Sequence, residues 1–415
     1  MGLLDLLSDR ETWDRFYKYK TSLALPKSFA DELRAFIDRG DYLPVAGRIL
    51  RGEPFPLAAK KEISKLGSGK KRVVYVYPRA ENTVLKLLAH LMLRRYDTVF
   101  APNLYSFRPK RTAKDAVRGL LRTPGINDLY CYKADVHDYF NSIPVSRLVA
   151  MLEDVVRDDP ALFTFLRSLL EEERVIAGGG IVAEEKGAMA GTPLSAFYAN
   201  LYLNELDRAF DSLSVPYARY SDDIILFAPT EREVRDHAAF IRAVLAERGL
   251  QINPKKEAFG APGEGWVFLG FSCRGGVVDI APATICKLKK KMRRKTAALR
   301  RWQIRNGLDG KKAAAAFIRV FRRKLLETPG DNELSWKHWF FPVINTSKSL
   351  AEIDRYAEDC LRFLISGTRT KARFNVRYKD LKALGFESVV HAYYAFGDTK
   401  ASGGQAISEE SRADS

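Results

Sequence analysis

Cysteine is scarce and scattered. Only Cys131, Cys273, Cys286 and Cys360 occur in 415 residues, with no CxxC pair and no histidine nearby at zinc spacing. That excludes a zinc framework and a disulfide scaffold, and it fits a reducing cytosol. Long apolar runs are missing too: none approaches the ~18 residues of a membrane span. The first residues, MGLLDLLSDRETW, carry acids where a signal peptide needs bases, and no Ser or Thr stands at position 6 for a myristoylation pattern. The expectation is a soluble, cytoplasmic protein with no membrane partner.

Acids are the next shortage. Against 68 Lys+Arg stand 51 Asp+Glu, a formal net charge of +17. A surplus of this size points to a polyanion, nucleic acid before membrane, the alternative being a protein with one basic face. Most of it is local. Residues 281–330 hold sixteen Lys/Arg and two acids, Asp309 and Glu327. There KLKKKMRRKTAALRRW keeps Leu288, Met292, Leu299 and Trp302 as a partial apolar stripe under a basic helical face. Lys289, Lys290, Arg293, Arg294 and Arg301 are candidates for phosphate contact, a solvated charged face being the alternative.

The chain is 46% hydrophobic, enough for two or three domains. Residues 1–60 read as short helices, SFADELRAFIDRG starting on Ser and ending on Gly. KKRVVYVYP is a strand stopped by proline, ENTVLKLLAHLMLRRY a helix, APNLYSFRPKRT a loop before a helix from Ala113. LYCYKADVHDYF is a strand ending in a turn. SRLVAMLEDVV and EREVRDHAAFIRAVLAERGL are helices, TPLSAFYANLYLNELDRAF one longer helix. YARYSDDIILFAP and GWVFLGFSCRGGVVDI are hairpins. This mixture predicts an α+β fold, an antiparallel sheet covered on one face by helices. The expected division is a helical extension (1–60), a sheet-bearing region (61–275), a basic helical region (276–397) and a disordered polar tail (398–415).

Two adjacent acids, Asp222 and Asp223, interrupt the apolar PYARYSDDIILFA. Buried carboxylates are costly unless paired or bound to metal, and neighbours repel. Asp135 closes a second strand, LYCYKAD. Alone it reads as a turn or cap residue; with the pair it makes three carboxylates at strand ends of one sheet. Oxygen donors without histidine favour Mg²⁺ or Mn²⁺. Two such ions roughly 4 Å apart serve in-line phosphoryl transfer. With the basic charge, this is the chemistry of a nucleotidyl transferase.

Tyr220-Ser221-Asp222-Asp223 resembles the YxDD box of reverse transcriptases, and KADVHDYFNSI their first metal-binding motif. Further ordered resemblances cover about 70–275: KKRVVYVYP, YSFRPKRTAKDAV, GTPLSAFYANLYLNELD, GLQINPKKEAF and FLGF. The resemblance implies a right-hand polymerase fold, fingers and palm followed by a helical thumb, acting on an RNA template, a DNA primer or product and dNTPs. It implies Asp135 and Asp222 as main metal ligands, with the Val136 carbonyl as a further one. Strand alternation makes Asp223 a secondary ligand. Phe140 matches the aromatic gate against a 2′-hydroxyl, ordinary core being the alternative. Lys71 and Arg72 match triphosphate contacts. Lys256 matches the lysine that protonates pyrophosphate; Lys255 and a merely solvated lysine remain alternatives. Gly191 and Ser195 match close approaches to nucleotide and template, Phe268, Leu269 and Gly270 the primer grip, and Arg108, Lys110 and Arg111 a nucleic-acid-binding loop.

Two departures stand out, the first of which puts a direct contact to the nucleotide in doubt and points to altered fidelity. Ala190 stands where group II intron and retron enzymes typically carry glutamine, and no VTG tripeptide follows the palm-like region, where retrons usually have one. No HNH, RNase H or protease segment is recognisable. This resembles the "unknown group" bacterial enzymes, some defence-associated and templated by a partner non-coding RNA, as in the type 2 systems. A retron enzyme, an intron maturase and a template-independent abortive-infection polymerase are the alternatives. Oligomeric state is not legible.

Overall fold

The computed structural model describes residues 2–23, 27–64, 71–327 and 335–398. Packing divides the chain into two units that meet in sequence between Gly265 and Trp266.

In the first unit, α1 (Arg10–Ser22), α2 (Lys27–Asp38) and α3 (Leu43–Leu50) precede β1 (Ala59–Ser64) and β2 (Lys71–Val76). Asp9 caps α1, its carboxylate accepting from the Glu11 and Thr12 amides. Next come α4 (Arg79–Arg95) and α5 (Ala113–Leu121), the latter opened by a reciprocal Thr112–Asp115 capping box. There follow β3 (Tyr130–Asp135), α6 (Tyr139–Ser142), α7 (Val145–Val155), α8 (Pro160–Glu171), β4 (Arg174–Ala177) and β5 (Gly180–Ala183). After these lie α9 (Ser195–Tyr202), α10 (Asn204–Ser212), β6 (Tyr217–Tyr220), β7 (Asp223–Ala228), α11 (Glu231–Glu247) and β8 (Ala258–Gly260).

Two four-stranded sheets result. The order β6-β7-β3-β8 is antiparallel throughout; α11 packs on β3 and β7, and α5 and α10 pack on β6. The order β2-β1-β4-β5 is antiparallel except for one parallel pairing of Ala59 with Ile176. The core runs from Trp13, Phe16 and Ile37 through Leu85, Leu88 and Met92 to Phe197, Tyr202, Phe210 and Leu226, all buried.

Three local expectations need correcting. Residues 59–64 are a strand, whose first two residues fall in the expected helical extension, because AKKEIS pairs along β2. The single long helix over TPLSAFYANLYLNELDRAF is two, broken at Leu203. Asn204 draws the chain aside there: its side chain accepts from the Ala101 amide and donates to the Val99 carbonyl. The second hairpin is a three-stranded meander in the second unit, β9 (Trp266–Phe268), β10 (Phe271–Arg274) and β11 (Val277–Ile280).

That unit continues with α12 (Pro282–Arg305), α13 (Gly310–Leu325), α14 (Trp336–Trp339), α15 (Lys348–Ser366) and α16 (Tyr378–Ala383). Helices α12, α13 and α15 pack pairwise. The stripe on α12 consists of Ile285, Leu288, Met292, Thr296, Leu299 and Gln303. Trp302, expected in it, is 43% exposed. At about 3.6 residues per turn, position 303 falls whole turns after Ile285 and returns to the core face, while 302 is rotated away from it. The expected polar tail lies outside the described residues beyond Asp398. Among the described residues no helix is long and apolar enough to cross a membrane.

Between α1 and α4, His90 packs against Phe16 and Tyr19, with ring centroids 5.0 and 4.4 Å away. Burial, then Arg94 and Lys20, push its pKa down to about 3. Arg94 Nη1 lies 2.8 Å from His90 Nδ1, and a guanidinium only donates, so Nδ1 is the acceptor of a neutral ring. Below about pH 6.5 the unfolded chain binds a proton that the folded chain refuses until about 3. The contribution is therefore present above 6.5 and lost as pH falls. Thermal melts from pH 7.5 to 5 are expected to show a shallower loss for His90→Phe than for the wild type; equal slopes would contradict this.

Candidate active site

The site is built by register. β3 and β7 pair so that Asp135 faces Asp223, while the Val136 amide donates to the Asp222 carbonyl at 3.0 Å. On the other side of the same strand end, Asn253 donates to the Asp135 carbonyl and His137 to that of Gln251, both at 2.8 Å. A turn at Asn253 then brings up Lys256, whose amide donates to the Asn253 carbonyl. Lys256 Nζ pairs with the Asp135 carboxylate. Of the two candidate lysines, Lys256 and not Lys255 makes this contact.

The Tyr220–Asp223 turn passes through Ser221 at φ 61°, left-handed backbone that a residue other than glycine rarely adopts. Surroundings hold it there. The Ser221 amide donates to Ser106 Oγ (2.9 Å), Ser106 Oγ donates to Asn200 Oδ1 (2.9 Å), and Asn200 Nδ2 donates to the Ser106 carbonyl (2.7 Å). Arg219 Nη1 donates to the Ser221 carbonyl at 3.2 Å and Nη2 to that of Asn200 at 3.0 Å. Arg219 is fully buried and salt-bridged to an equally buried Asp207, with Nε–Oδ1 at 2.8 Å and Nη2–Oδ2 at 2.5 Å. Tyr217 also donates to Asp207 (2.8 Å). The 103–105 segment is threaded along β6: Arg219 donates to the Asn103 carbonyl and Tyr105 to that of Arg219.

The electrostatics follow from burial. Asp135 is 4% exposed. Burial, then the Asp135 charge, push the Asp222 carboxyl up. The Asp223 pKa is pushed up to about 6, chiefly by burial, with Lys133 opposing and the other two acids adding. Burial works against the Lys256 charge, yet its bond to Asp135 and the acids around it hold its pKa above the ordinary lysine value.

Among the described residues no three His, Cys, Asp or Glu side chains converge as a metal cage. Asp135 and Asp222 sense each other, and Asp223, at the start of β7, senses both, with Lys256 on Asp135. Two carboxylates still suit Mg²⁺, which keeps waters and takes further oxygens from substrate phosphates rather than from an all-protein cage.

Around the acids, Phe140 is half-buried beside Tyr139 (centroids 5.8 Å) and Phe107 (6.4 Å). Phe107 also meets Tyr220 at 6.3 Å, is 41% exposed and sits at φ 57°. It was not singled out from sequence; FRP within a basic loop was the only signal. Two glycines let the 186–191 loop pass against its neighbours. A Cβ on Gly187 would meet the Phe140 and Asn141 carbonyl oxygens at 2.6 Å, and one on Gly191 would meet Val74 Cβ at 2.9 Å. The Tyr75 amide donates to the Ala190 carbonyl at 2.7 Å, tying β2 to that loop.

Other candidates are scattered. Lys71 pairs with Glu62 across the β1–β2 hairpin at 2.6 Å, with Arg72 exposed beside it. Ser195 is buried, its hydroxyl donating to the Thr192 carbonyl. Arg108, expected on nucleic acid, is 8% exposed and bonded to the Asp97 carboxylate and to the Ala101 and Asp97 carbonyls. It is a strut, because a guanidinium can satisfy several buried carbonyls at once. Lys110 is exposed, and Arg111 donates to the Pro102 carbonyl. Phe268–Gly270 form a tight turn in the second unit, with φ 50° at Leu269 and 87° at Gly270. On α12, Lys290, Arg293, Arg294 and Arg301 are exposed; Lys289 is engaged with Glu352.

Residues 59–273, just over half of the chain, match the family described as reverse transcriptase (RNA-dependent DNA polymerase). The chain belongs to the reverse transcriptase family, and its mixed α/β fold is of the polymerase type that family defines. Similar solved structures include apo telomerase from Candida tropicalis truncated from its C-terminal domain (14% identity, 54% of this chain and 55% of that one, TM-score 0.42). Telomerase from Candida albicans in complex with a TWJ fragment of telomeric RNA follows (12%, 82% and 67%, TM-score 0.43), as does apo telomerase from Candida tropicalis (11%, 81% and 63%, TM-score 0.47). The chain spans about half the length of the first of these. No curated protein matches.

Arg219 can be tested apart from catalysis. Arg219→Met leaves Asp207 charged and buried, which is expected to cost about 3–5 kcal/mol in urea unfolding. The double variant Arg219→Met with Asp207→Leu is expected to recover much of that loss. A single variant as stable as the wild type would show that the pair does not hold the turn.

Proposed function

We propose that the chain is an RNA-directed DNA polymerase, and that in the cell it copies a structured non-coding RNA as part of antiphage defence. The polymerase reading rests above all on one observation: antiparallel register sets Asp135 beside the Asp222–Asp223 turn, with Lys256 reaching the same carboxylate. The defence reading rests on the resemblance to the "unknown group" bacterial enzymes, together with the lack of a retron-type VTG tripeptide.

In the reaction a primer 3′-oxygen forms a bond to the α-phosphorus of a dNTP while the bond to pyrophosphate breaks. Asp135 and Asp222, with the Val136 carbonyl, would hold divalent ions, Mg²⁺ or Mn²⁺, which when bound sharpen the attacking oxygen and neutralise the leaving group. Asp223 supports the turn and the local negative charge. Lys256 keeps its proton near the acids and hands it to the departing pyrophosphate. Phe140 floors the sugar site and leaves no room for a 2′-hydroxyl. Lys71 and Arg72 take the triphosphate. Gly191 and Ser195 border the nucleotide and template, and Phe268–Gly270 hold the primer. Lys110 and the exposed α12 bases take backbone phosphates. Residues 61–275 are the fingers and palm, preceded by the N-terminal helical extension, and the helices of 276–397 are the thumb.

Primer extension on an RNA template tests this. Asp222→Ala with Asp223→Ala is expected to lose cDNA synthesis by at least about 10²–10³-fold, the scale of removing a charge-stabilising group. Wild-type synthesis by that variant would end the polymerase reading. Phe140→Ala is expected to relax dNTP preference over rNTPs by about tenfold or more, as a lost steric contact does; unchanged selectivity would return Phe140 to the core. Sequencing copurifying RNA tests the partner: one recurring hairpin-rich RNA is expected, and bulk cellular RNA would contradict a dedicated template.

A further inference from the structure

A second cationic site lies in the first unit. Tyr19 and Lys20 of α1 face Lys86, Ala89, His90, Leu93 and Arg94 of α4 across a cleft of about 220 Å³, closed by Phe107, Pro109 and Pro193. No carboxylate lines it, although Lys86 also borders the neighbouring pocket that carries Glu32 and Asp41; the further cation there, Arg108, is bonded to Asp97. The cations are left to repel one another. Burial, then Lys86 and Arg94, lower the Lys20 pKa, and burial, then Arg79, lower that of Lys86. The charges are held in place by rings rather than by acids. The Arg94 guanidinium stacks on Tyr19 at 4.4 Å, Lys20 lies 5.3 Å from the Phe16 ring and Lys86 5.3 Å from that of Phe29.

Such a cluster raises the free energy of the chain until an anion enters. Its walls suit more than a bare ion: the exposed Phe107 ring lies beside the cations, the pairing of stacking platform and charge that single strands use. Phe107 is shared with the candidate active site, since it also packs on Tyr220 and Phe140. Phe107 thus borders both the cleft and the Tyr220 end of the turn that carries the acids. Helix α1 precedes residues 59–273, the segment that matches the family.

We propose that the α1–α4 cleft binds phosphate groups of a single-stranded nucleic acid that continues, over Phe107, into the candidate active site. The proposal deepens the polymerase reading and rests on it for the direction of the strand, but not for the binding itself. It is therefore measured without catalysis, by fluorescence anisotropy of a labelled single-stranded RNA of about twenty nucleotides. The protein is the full chain carrying Asp222→Ala and Asp223→Ala, without divalent ions.

Adding Lys20→Gln and Lys86→Gln is expected to weaken binding about tenfold and to lower the slope of log affinity against log salt by about 1.4, two phosphates' worth on a single strand. The same two charges removed from α11, as Arg232→Gln with Arg235→Gln, are expected to change neither. Equal losses in both variants, or none in the first, would overturn the site. A free nucleotide is the other phosphate source. Inorganic pyrophosphate and dNTP, each at 1000-fold excess over the RNA, are expected to leave binding intact, whereas displacement by dNTP alone at equimolar concentration would assign the cleft to nucleotide and overturn the strand. Should the double glutamine variant melt below the parent, Lys20→Arg with Lys86→Arg keeps the charge and is expected to retain both affinity and slope; loss in that variant also would overturn the assignment.

Discussion

Everything at the candidate active site hangs from one buried ion pair. Arg219 and Asp207 are both withdrawn from water, an arrangement that gains little net stability over a well-packed apolar pair. What the pair does supply is position. One guanidinium reaches the Asp207 carboxylate, the end of α9 at Asn200 and the Ser221 carbonyl. Its own backbone pairs with the 103–105 segment. An apolar side chain could fill the same volume but could not specify where Ser221 sits. Since Ser221 holds a backbone conformation that costs energy, the turn would relax without these bonds, and the two aspartates would lose their relation to β3.

The same economy of geometry governs charge. Three acids in a buried corner are unstable without cations, and the fold answers with Lys256, an internal counter-ion anchored by the Asn253 turn. A compact ammonium on a flexible stem suits that role better than a guanidinium, because it can leave a carboxylate without breaking a planar double contact. The acids are thus held close to one another and to a counter-charge. Asp223, at the first position of β7, is pushed toward neutrality chiefly by burial.

How much of this could be read in advance depended on whether the cause was local. Asp135, Asp222 and Asp223 stood out because acids in apolar strands are rare, and the hairpin and caps around them follow short-range rules. The strand at 59–64 did not, because AKKEIS carries no alternation of apolar residues and acquires its state only by pairing with β2. The break at Leu203 was hidden for the same reason: no glycine or proline marks it, and Asn204 finds its partners about a hundred residues upstream. Arg108 and Arg219 show the problem most sharply. In sequence both look like surface bases, and only the carboxylates of Asp97 and Asp207, brought in by folding, turn them into struts.

Charge density misleads in the opposite direction as well. Counting along the chain finds the run at 281–330, yet part of that run is spent internally, as Lys289 is on Glu352. Lys20, Lys86 and Arg94 sit in stretches of ordinary composition, and no window holds them together. What distinguishes them is the absence of an acid in the cleft that gathers them, a property of three dimensions. A basic residue matters for binding a polyanion when the fold leaves it without a carboxylate, not when the sequence surrounds it with other bases. By that criterion the N-terminal helix, outside the family's shared segment, contributes as directly to the electrostatics of the first unit as the conspicuous helix α12 does to the second.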